Sequence, residues 1–274
     1  MNGSTTSALV SATDITKYQH DGVVVLRNVL TQNVIAELSD ALAQNMQSPG
    51  PWANEYAANS HQGRFFDDYV NWSRFDAYKT CALSGVLPQI ALALMQKTSG
   101  RFFHEHVLVK EAGNNQVTPW HNDEPYYGID SINNVSLWVP LDPIPEKIAL
   151  RAIAGSHKWG KKFIPRKFVD QSPYVASASE YEPLPDSKQL DVADNIESFA
   201  AMPGDLVAFH FRTLHSAPST TNYPDRRRVV SFRYVDSDAV WSTRPWKTSP
   251  PLEPKELKPG DLLTDERFPL IKSF

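Results

Sequence analysis

His121 and Asp123 stand one residue apart in the segment Val117-Thr-Pro-Trp-His-Asn-Asp-Glu-Pro-Tyr-Tyr127, and another histidine, His215, follows 94 residues after His121. Two imidazoles and one carboxylate can bind one face of an iron(II) ion and leave three positions open. Those positions accept a bidentate 2-oxo acid together with O₂. Residues one apart on a strand point to the same face, so His121 and Asp123 are expected to reach the metal from a common strand. A His-x-Asp pair by itself is a weak signal, frequent by chance. An open zinc site takes a similar donor set, but the chain offers no general base for a zinc hydrolase that an oxygenase does not explain better.

The neighbourhood of the third ligand strengthens the pattern. Met202-Pro-Gly-Asp205 reads as a turn, Leu206–Phe211 as an apolar strand, and Thr213-Leu-His215 closes it. After a gap comes Arg226-Arg-Arg-Val-Val-Ser-Phe-Arg-Tyr234. A histidine ending one strand, with an arginine opening the next, sets a cation beside the metal. The distal carboxylate of a 2-oxo diacid needs that cation once it leaves water.

With these motifs in order, the chain resembles the phytanoyl-CoA dioxygenase family of iron(II)/2-oxoglutarate oxygenases over roughly residues 15–240. Pro119-Trp-His-Asn-Asp-Glu-Pro-Tyr-Tyr127 matches that family's Trp-His-x-Asp segment, and Ser136-Leu-Trp-Val-Pro-Leu-Asp142 its following strand. Ala154-Gly-Ser-His-Lys-Trp-Gly160 resembles its Gly-Ser-His turn, and Pro203-Gly-Asp205 through His215 its distal histidine strand. The resemblance implies a double-stranded β-helix core (a cupin-like jelly roll) with iron(II) held by His121, Asp123 and His215. It also implies 2-oxoglutarate and O₂ as co-substrates, giving succinate, CO₂ and a hydroxylated product. Because Asp123 is present, the halogenase variants that lack this carboxylate are not favoured. The family places its co-substrate arginine four residues before a Ser or Thr, here Ser231, which selects Arg227. Arg226 stays open as a substitute, because the gap from His215 is a residue longer than in some relatives. Strand alternation then puts Arg227, Val229, Ser231 and Arg233 on one face, with Arg226 and Arg228 on the other.

Further expectations follow for the pocket. Lys110, on one strand face with Leu108 and His106, either reaches the co-substrate or substrate or snorkels at a strand end. Trp138 shares a face with Ser136 and is assigned with Arg227, Ser231 and Lys110 to the co-substrate. Trp120, Tyr126 and Tyr127 are assigned to the substrate; of these three and Trp138, two are expected to line the cavity, since aromatics are also common core residues. Arg233 is expected to pair with an anionic group on a small-molecule substrate. Trp241 and Trp246 are candidates to close the mouth. His210 reads as a structural neighbour of the ligands, His157 as a turn residue, and His20 and His61 as surface residues. His104 and His106 share a face and either approach the cavity or serve a surface role. Cys81 reads as buried packing rather than a nucleophile.

These residues need a scaffold, expected to be mainly β with flanking helices. A short helix over Ile15–His20 precedes a buried strand at Gly22–Leu26. Thr31 is placed to cap a helix over Gln32–Met46, where Val34, Ile35, Leu38 and Leu42 recur at helical spacing. Residues 47–75 lack a period and read as loop. Ala82–Lys97 reads as one helix with Pro88 near its first turn. From Phe102 short strands dominate, clearest at His104–Lys110, Val135–Leu141, Leu206–Phe211 and Val229–Val235. Lys161–Glu197, polar and carrying Pro165, Pro173, Pro183 and Pro185, is longer than a plain connection and reads as a lid. The expected organisation is a single domain over 1–274. It comprises a mostly helical part (1–100), a jelly-roll core (101–240) containing the lid, and a C-terminal tail (241–274).

Bulk properties exclude other classes. A charge of -4 among 274 residues gives no basic footprint for nucleic acid. The single cysteine precludes an internal disulfide framework and fits a reducing compartment. Neither a signal peptide nor a membrane span is apparent, so the expected location is the cytoplasm. The oligomeric state is not legible. Two rivals remain: a cupin-like metalloenzyme that does not use 2-oxoglutarate, and a non-catalytic binding module with a relic site.

Overall fold

The structure, a computed structural model, describes residues 9–56, 63–167, 172–174, 180–253 and 256–273. Helix α1 (Ala12–Asp21) begins in a capping box: Ser11 Oγ accepts from the Asp14 amide, and the Asp14 carboxylate accepts from the Ser11 amide. Gly22 ends it in the left-handed region at φ 73°, where a Cβ would also collide with His157. Strand β1 (Val23–Leu26) follows, then α2 (Gln32–Gln47), whose first turn is capped by the Thr31 hydroxyl.

Two sequence expectations fail in the next stretch. Residues 47–75 are not all loop: they contain β2 (Asn54–Tyr56) and β3 (Phe65–Tyr69). Every residue of β3 is buried, so it lacks the alternation that marks a half-exposed strand. The helix expected over Ala82–Lys97 is two, α3 (Asp76–Leu83) and α4 (Val86–Met95), broken at Ser84-Gly85. The Gly85 amide returns to the Thr80 carbonyl at 2.8 Å and ends α3, and Pro88 sits in the first turn of α4.

The β core comprises β4 (Ser99–Lys110), β5 (Thr118–His121), β6 (Ile129–Asp130), β7 (Asn134–Pro140), β8 (Leu150–Ile153), β9 (Ile196–Phe199), β10 (Leu206–Phe209), β11 (His215–Ala217), β12 (Arg227–Asp236), β13 (Val240–Trp241) and β14 (Leu270–Lys272). The larger sheet runs β1-β10-β7-β12-β4-β3-β2, with β14 also paired to β4; the smaller runs β5-β11-β8-β9. The pairings are antiparallel, as a jelly roll requires. Residues 241–274 are more than a tail, since β14 extends the larger sheet and Leu263, Phe268 and Ile271 are buried.

Alternation assigns the two faces of the larger sheet. Val107, Val109, Val230, Phe232 and Tyr234 pack against Leu38, Leu42, Ile90 and Leu94 of the helices. On the other face Val23, Trp138, Val207 and Phe209 meet Leu150, Ala152 and Phe199 of the smaller sheet. Burying these apolar faces supplies the main driving force for the layered fold. A cavity opens between the sheets, walled by β3, β4 and β12 on one side and by β5, β8 and β11 on the other. Among the described residues no helix is long and apolar enough to cross a membrane.

Candidate metal centre

His121 ends β5 directly opposite His215, the first residue of β11. Asp123 does not share their strand: it has helical backbone angles (φ -73°, ψ -36°) and opens the short 3₁₀ turn Glu124–Tyr126. Convergence of His121 and Asp123 therefore comes from a chain reversal rather than strand alternation. Asp123 Oδ1 lies 3.7 Å from His121 Nε2 and 3.8 Å from His215 Nε2. One donor atom from each of the three side chains lies within 4.8 Å of the others, and all three residues are buried.

The surroundings set both orientation and protonation. His121 Nδ1 is 2.8 Å from the Pro119 carbonyl and His215 Nδ1 2.9 Å from the Thr213 carbonyl. Each Nδ1–H donates to its carbonyl, which turns the Nε2 lone pairs towards Asp123. Burial pushes the His121 imidazole down to about 3, with His215 adding to the effect, and burial also lowers His215. Burial alone would raise the Asp123 carboxyl, but Arg233 and the two imidazoles hold it well below the usual carboxylate range. Its Oδ2 accepts from Ser136 Oγ at 2.9 Å and faces Arg233 Nε at 3.4 Å, leaving Oδ1 towards the imidazoles. Two neutral imidazoles and one carboxylate are the protonation states that metal binding requires. These donors fit iron(II) with one face left open.

Further along the cavity, Arg227 and Lys110 are cross-strand partners of β12 and β4. Arg227 Nη1 donates to the Ile148 carbonyl at 2.6 Å, and Lys110 Nζ to Gln116 O and Thr118 Oγ1. Among the described residues neither cation meets a carboxylate. Burial lowers the Arg227 guanidinium to about 10; burial and then Arg227 pull the Lys110 ammonium well below its ordinary range. The expected alternation is present: Arg226 is exposed, and Arg228 turns away to pair with Asp142 at 2.7 Å. Trp138 lines the cavity with them. Ser231 is buried but does not line it, and its hydroxyl has no hydrogen-bond partner among the described residues.

Tyr126, Tyr127 and Trp138 line the cavity, but Trp120 does not. Its indole packs with Phe163, Leu184 and Leu190, donates to Asp191 Oδ1 at 2.9 Å, and lies under Arg151. Phe163, Leu184 and Leu190 cover its side of the smaller sheet and take the indole away from the cavity. Arg233 reaches the cavity, but its charge is shared with Asp123, its Nη2 lies 3.4 Å from His106 Nδ1, and its guanidinium sits over Tyr127. A substrate anion would have to compete with Asp123 for it. Trp241 and Trp246 do not line the cavity; Trp241 packs in the core beside Ile129 and Leu263, and Trp246 donates to the Pro125 carbonyl.

Sequence reasoning missed Phe65, Tyr69, Ser136 and Ser249. The first two sat in a supposed loop. Ser136 shares a face with Trp138, a signal that was present; Ser249 lies far along the chain with no local pattern. His106 lines the cavity, stacked on Tyr69 with ring centroids 4.0 Å apart, while His104 is wholly buried and its ring nitrogens have no hydrogen-bond partner among the described residues. His210 Nε2 meets the Ile132 carbonyl and its Nδ1 accepts the Arg212 amide, a structural role; His157 packs beside it. His20 is exposed, and His61 lies outside the described residues. Cys81 is buried, packed beside Ala82 in the helical core, and burial pushes its thiol up to about 12. Within the supposed lid, Phe163, Leu184 and Leu190 are buried, Lys161 and Lys162 pair with Glu182 and Glu180, and the Arg166 carbonyl accepts from the Tyr126 hydroxyl. Residues 168–171 and 175–179 of that segment lie outside the described residues.

Solved structures share this architecture. The non-heme alpha ketoglutarate dependent carbocyclase SnoK from nogalamycin biosynthesis superposes with a TM-score of 0.76 at 21% identity, covering 98% of this chain and 99% of that one. The epimerase SnoN, in complex with Fe3+, alpha ketoglutarate and nogalamycin RO, gives 0.70 at 20% identity over 97% and 98%. EctD from S. alaskensis with bound Fe gives 0.66 at 17% identity over 91% and 87%. At these identities the likeness is one of fold. No curated protein matches the sequence. Residues 18–229 match the family model for phytanoyl-CoA dioxygenase (PhyH), well over half the chain. The chain belongs to the phytanoyl-CoA dioxygenase family of iron(II)- and 2-oxoglutarate-dependent oxygenases.

Proposed function

We propose that the protein hydroxylates an unactivated C–H bond of a small organic substrate, with His121, Asp123 and His215 holding iron(II) and Arg227 holding the distal carboxylate of 2-oxoglutarate. The observation that carries this reading is the cavity itself: a buried His-Asp-His donor set and a buried arginine that has no carboxylate partner among the described residues share its lining. When bound, the iron and 2-oxoglutarate supply the oxidising chemistry with O₂, converting the 2-oxo acid to succinate and CO₂.

This chain's residues supply position and protonation. The Pro119 and Thr213 carbonyls fix the imidazole rings, and Ser136 and Arg233 hold Asp123 by one oxygen. Arg227, with Lys110 beside it, neutralises a carboxylate in a site that bulk water does not screen. Tyr126, Tyr127, Trp138 and Phe209 exclude water and limit where a substrate C–H bond can lie.

A second outcome is favoured by one finding: similar structures include a carbocyclase and an epimerase. The same C–H cleavage would then end in ring closure or inversion. Product mass separates these outcomes: hydroxylation adds one oxygen from O₂, ring closure removes two hydrogens, and epimerisation changes nothing. The test is a substrate panel assayed for iron-dependent succinate formation coupled to product, repeated with ¹⁸O₂. Absence of iron-dependent 2-oxoglutarate turnover under every condition would refute the reading.

A further inference from the structure

Arg227 and Lys110 mark one end of the cavity; the other end, beyond the Asp123 turn, is built from different chemistry. Tyr69 of β3, His106 of β4, Tyr126 and Tyr127 of the turn, and Ser249 line it. The one cation there, among the described residues, is Arg233, shared between Asp123 and His106. Arg166 touches this wall through its backbone, which meets the Tyr126 hydroxyl, and does not line the cavity. The carboxylate behind Tyr69, Asp67, is wholly buried and accepts from Asn54, Tyr56 and Tyr69. Burying a charge without a partner is strongly unfavourable, and among the described residues this end offers neither sign a vacant counter-charge.

The walls are also flat and fixed. Tyr69 is held by Asp67 and Ser249, Tyr126 by the Arg166 backbone, and Tyr127 lies under the Arg233 guanidinium. Outward from Tyr126 the aromatic surface continues through Tyr174 and Trp246 to Tyr181, with ring centroids 6.4, 6.2 and 4.7 Å apart in turn. Aromatic faces pinned in this way favour a ligand that presents rings of its own, because stacked and edge contacts add to simple burial. A flexible chain would lose more conformational freedom on entry.

We propose that the primary substrate is an uncharged, ring-bearing molecule, seated between Tyr69 and the Tyr126–Tyr127 turn. The proposal rests on the reading that Arg227 and Lys110 take 2-oxoglutarate, so that among the described cavity residues the remaining cation is Arg233, already paired with Asp123. Ser249 Oγ, whose hydrogen is given to Tyr69, is then left to accept from a hydroxyl group of the substrate.

The test uses the full chain loaded with manganese(II), a carboxylate-binding stand-in for iron(II), and saturating 2-oxoglutarate, without O₂. Calorimetric titration compares 2-naphthol (neutral, bicyclic), 2-naphthoate (anionic, bicyclic) and 1-octanol (neutral, acyclic). The expected result is that 2-naphthol binds at least roughly tenfold tighter than either of the others. Tyr126→Leu, or Tyr69→Leu if the first variant does not fold, should weaken 2-naphthol by about the same factor. Equal or tighter binding of 2-naphthoate overturns the uncharged class, and equal binding of 1-octanol overturns the ring requirement. Binding of none of the three, or of 2-naphthol unchanged by the variants, overturns the seat. The preceding 2-oxoglutarate titration reports separately on the functional reading: if 2-oxoglutarate binds and the probe order is wrong, this inference fails alone.

Discussion

Arg227 and Lys110 face each other across β12 and β4, buried on one cavity wall with no carboxylate of the described protein to neutralise them. Two adjacent cations removed from water are unfavourable in isolation. An anionic ligand would relieve that situation, and on the proposed function it is the distal carboxylate of 2-oxoglutarate.

Arg227→Gln should therefore raise the 2-oxoglutarate KM by an amount equivalent to roughly 2–5 kcal/mol, as for other truncated buried charge pairs. Arg226→Gln, at an exposed position, should leave it unchanged. Arg228→Ala loses the bidentate Asp142 contact and should lower thermal stability instead. Steady-state kinetics and thermal melts separate these effects; equal, mild KM changes at all three positions would contradict the register.

Lys110→Met should raise the same KM by less, because Lys110 is already hydrogen-bonded to Gln116 and Thr118. Since the two cations are neighbours, the double variant with Arg227→Gln should fall short of additivity. A double-mutant cycle with fully additive effects would mean that the two do not share a ligand.

Removing any donor, as in His121→Ala, Asp123→Ala or His215→Ala, should abolish stoichiometric iron(II) binding and turnover. His210→Asn should retain iron binding, since His210 serves the Ile132 carbonyl and the Arg212 amide. Metal titration of each variant checks this. Loss of iron in His210→Asn with retention in His215→Ala would reverse the ligand assignment.

The metal-free protein should gain stability as pH rises from about 4 to about 6.5. Burial holds His121 and His210 down to about 3 in the fold, against an ordinary 6.5, and holds His104 well below it. In that window the unfolded chain binds the extra protons, so acid favours unfolding. Glu105 opposes this: burial pushes it up to about 8, so its contribution is complete below the ordinary glutamate range and is lost as pH rises to about 8. Three histidines outweigh one glutamate on the acid side, and the gain should level off near neutrality. Melting temperatures that stay flat between pH 4 and 7 would contradict the account.

How far the sequence reveals this arrangement depends on what each residue's role rests on. That His121, Asp123 and His215 converge, and that Arg227 lines the same cavity, is legible because their order matches a family. Strand alternation does not account for Asp123, since a turn rather than a strand aims it. Alternation correctly turns Arg227 inward and Arg228 outward, because period two belongs to the backbone itself. It cannot say what covers a face: Trp120 follows the pattern yet packs beneath Leu184 and Leu190. Nor can it show that Arg233 already has a partner in Asp123, 110 residues away. Strand β3 escaped because both its faces are buried, and the α3–α4 break escaped because apolar residues continue across Gly85.

The most direct measurement is the visible charge-transfer absorption that an iron(II)–2-oxo acid chelate gives in the absence of O₂. Titrating iron(II) into the protein with 2-oxoglutarate should produce this band at one equivalent per chain. In Arg227→Gln it should need far more 2-oxoglutarate, and in His215→Ala it should not form. A wild-type protein that binds iron without the band, or a band indifferent to both substitutions, would contradict the assignment of this cavity to iron and 2-oxoglutarate.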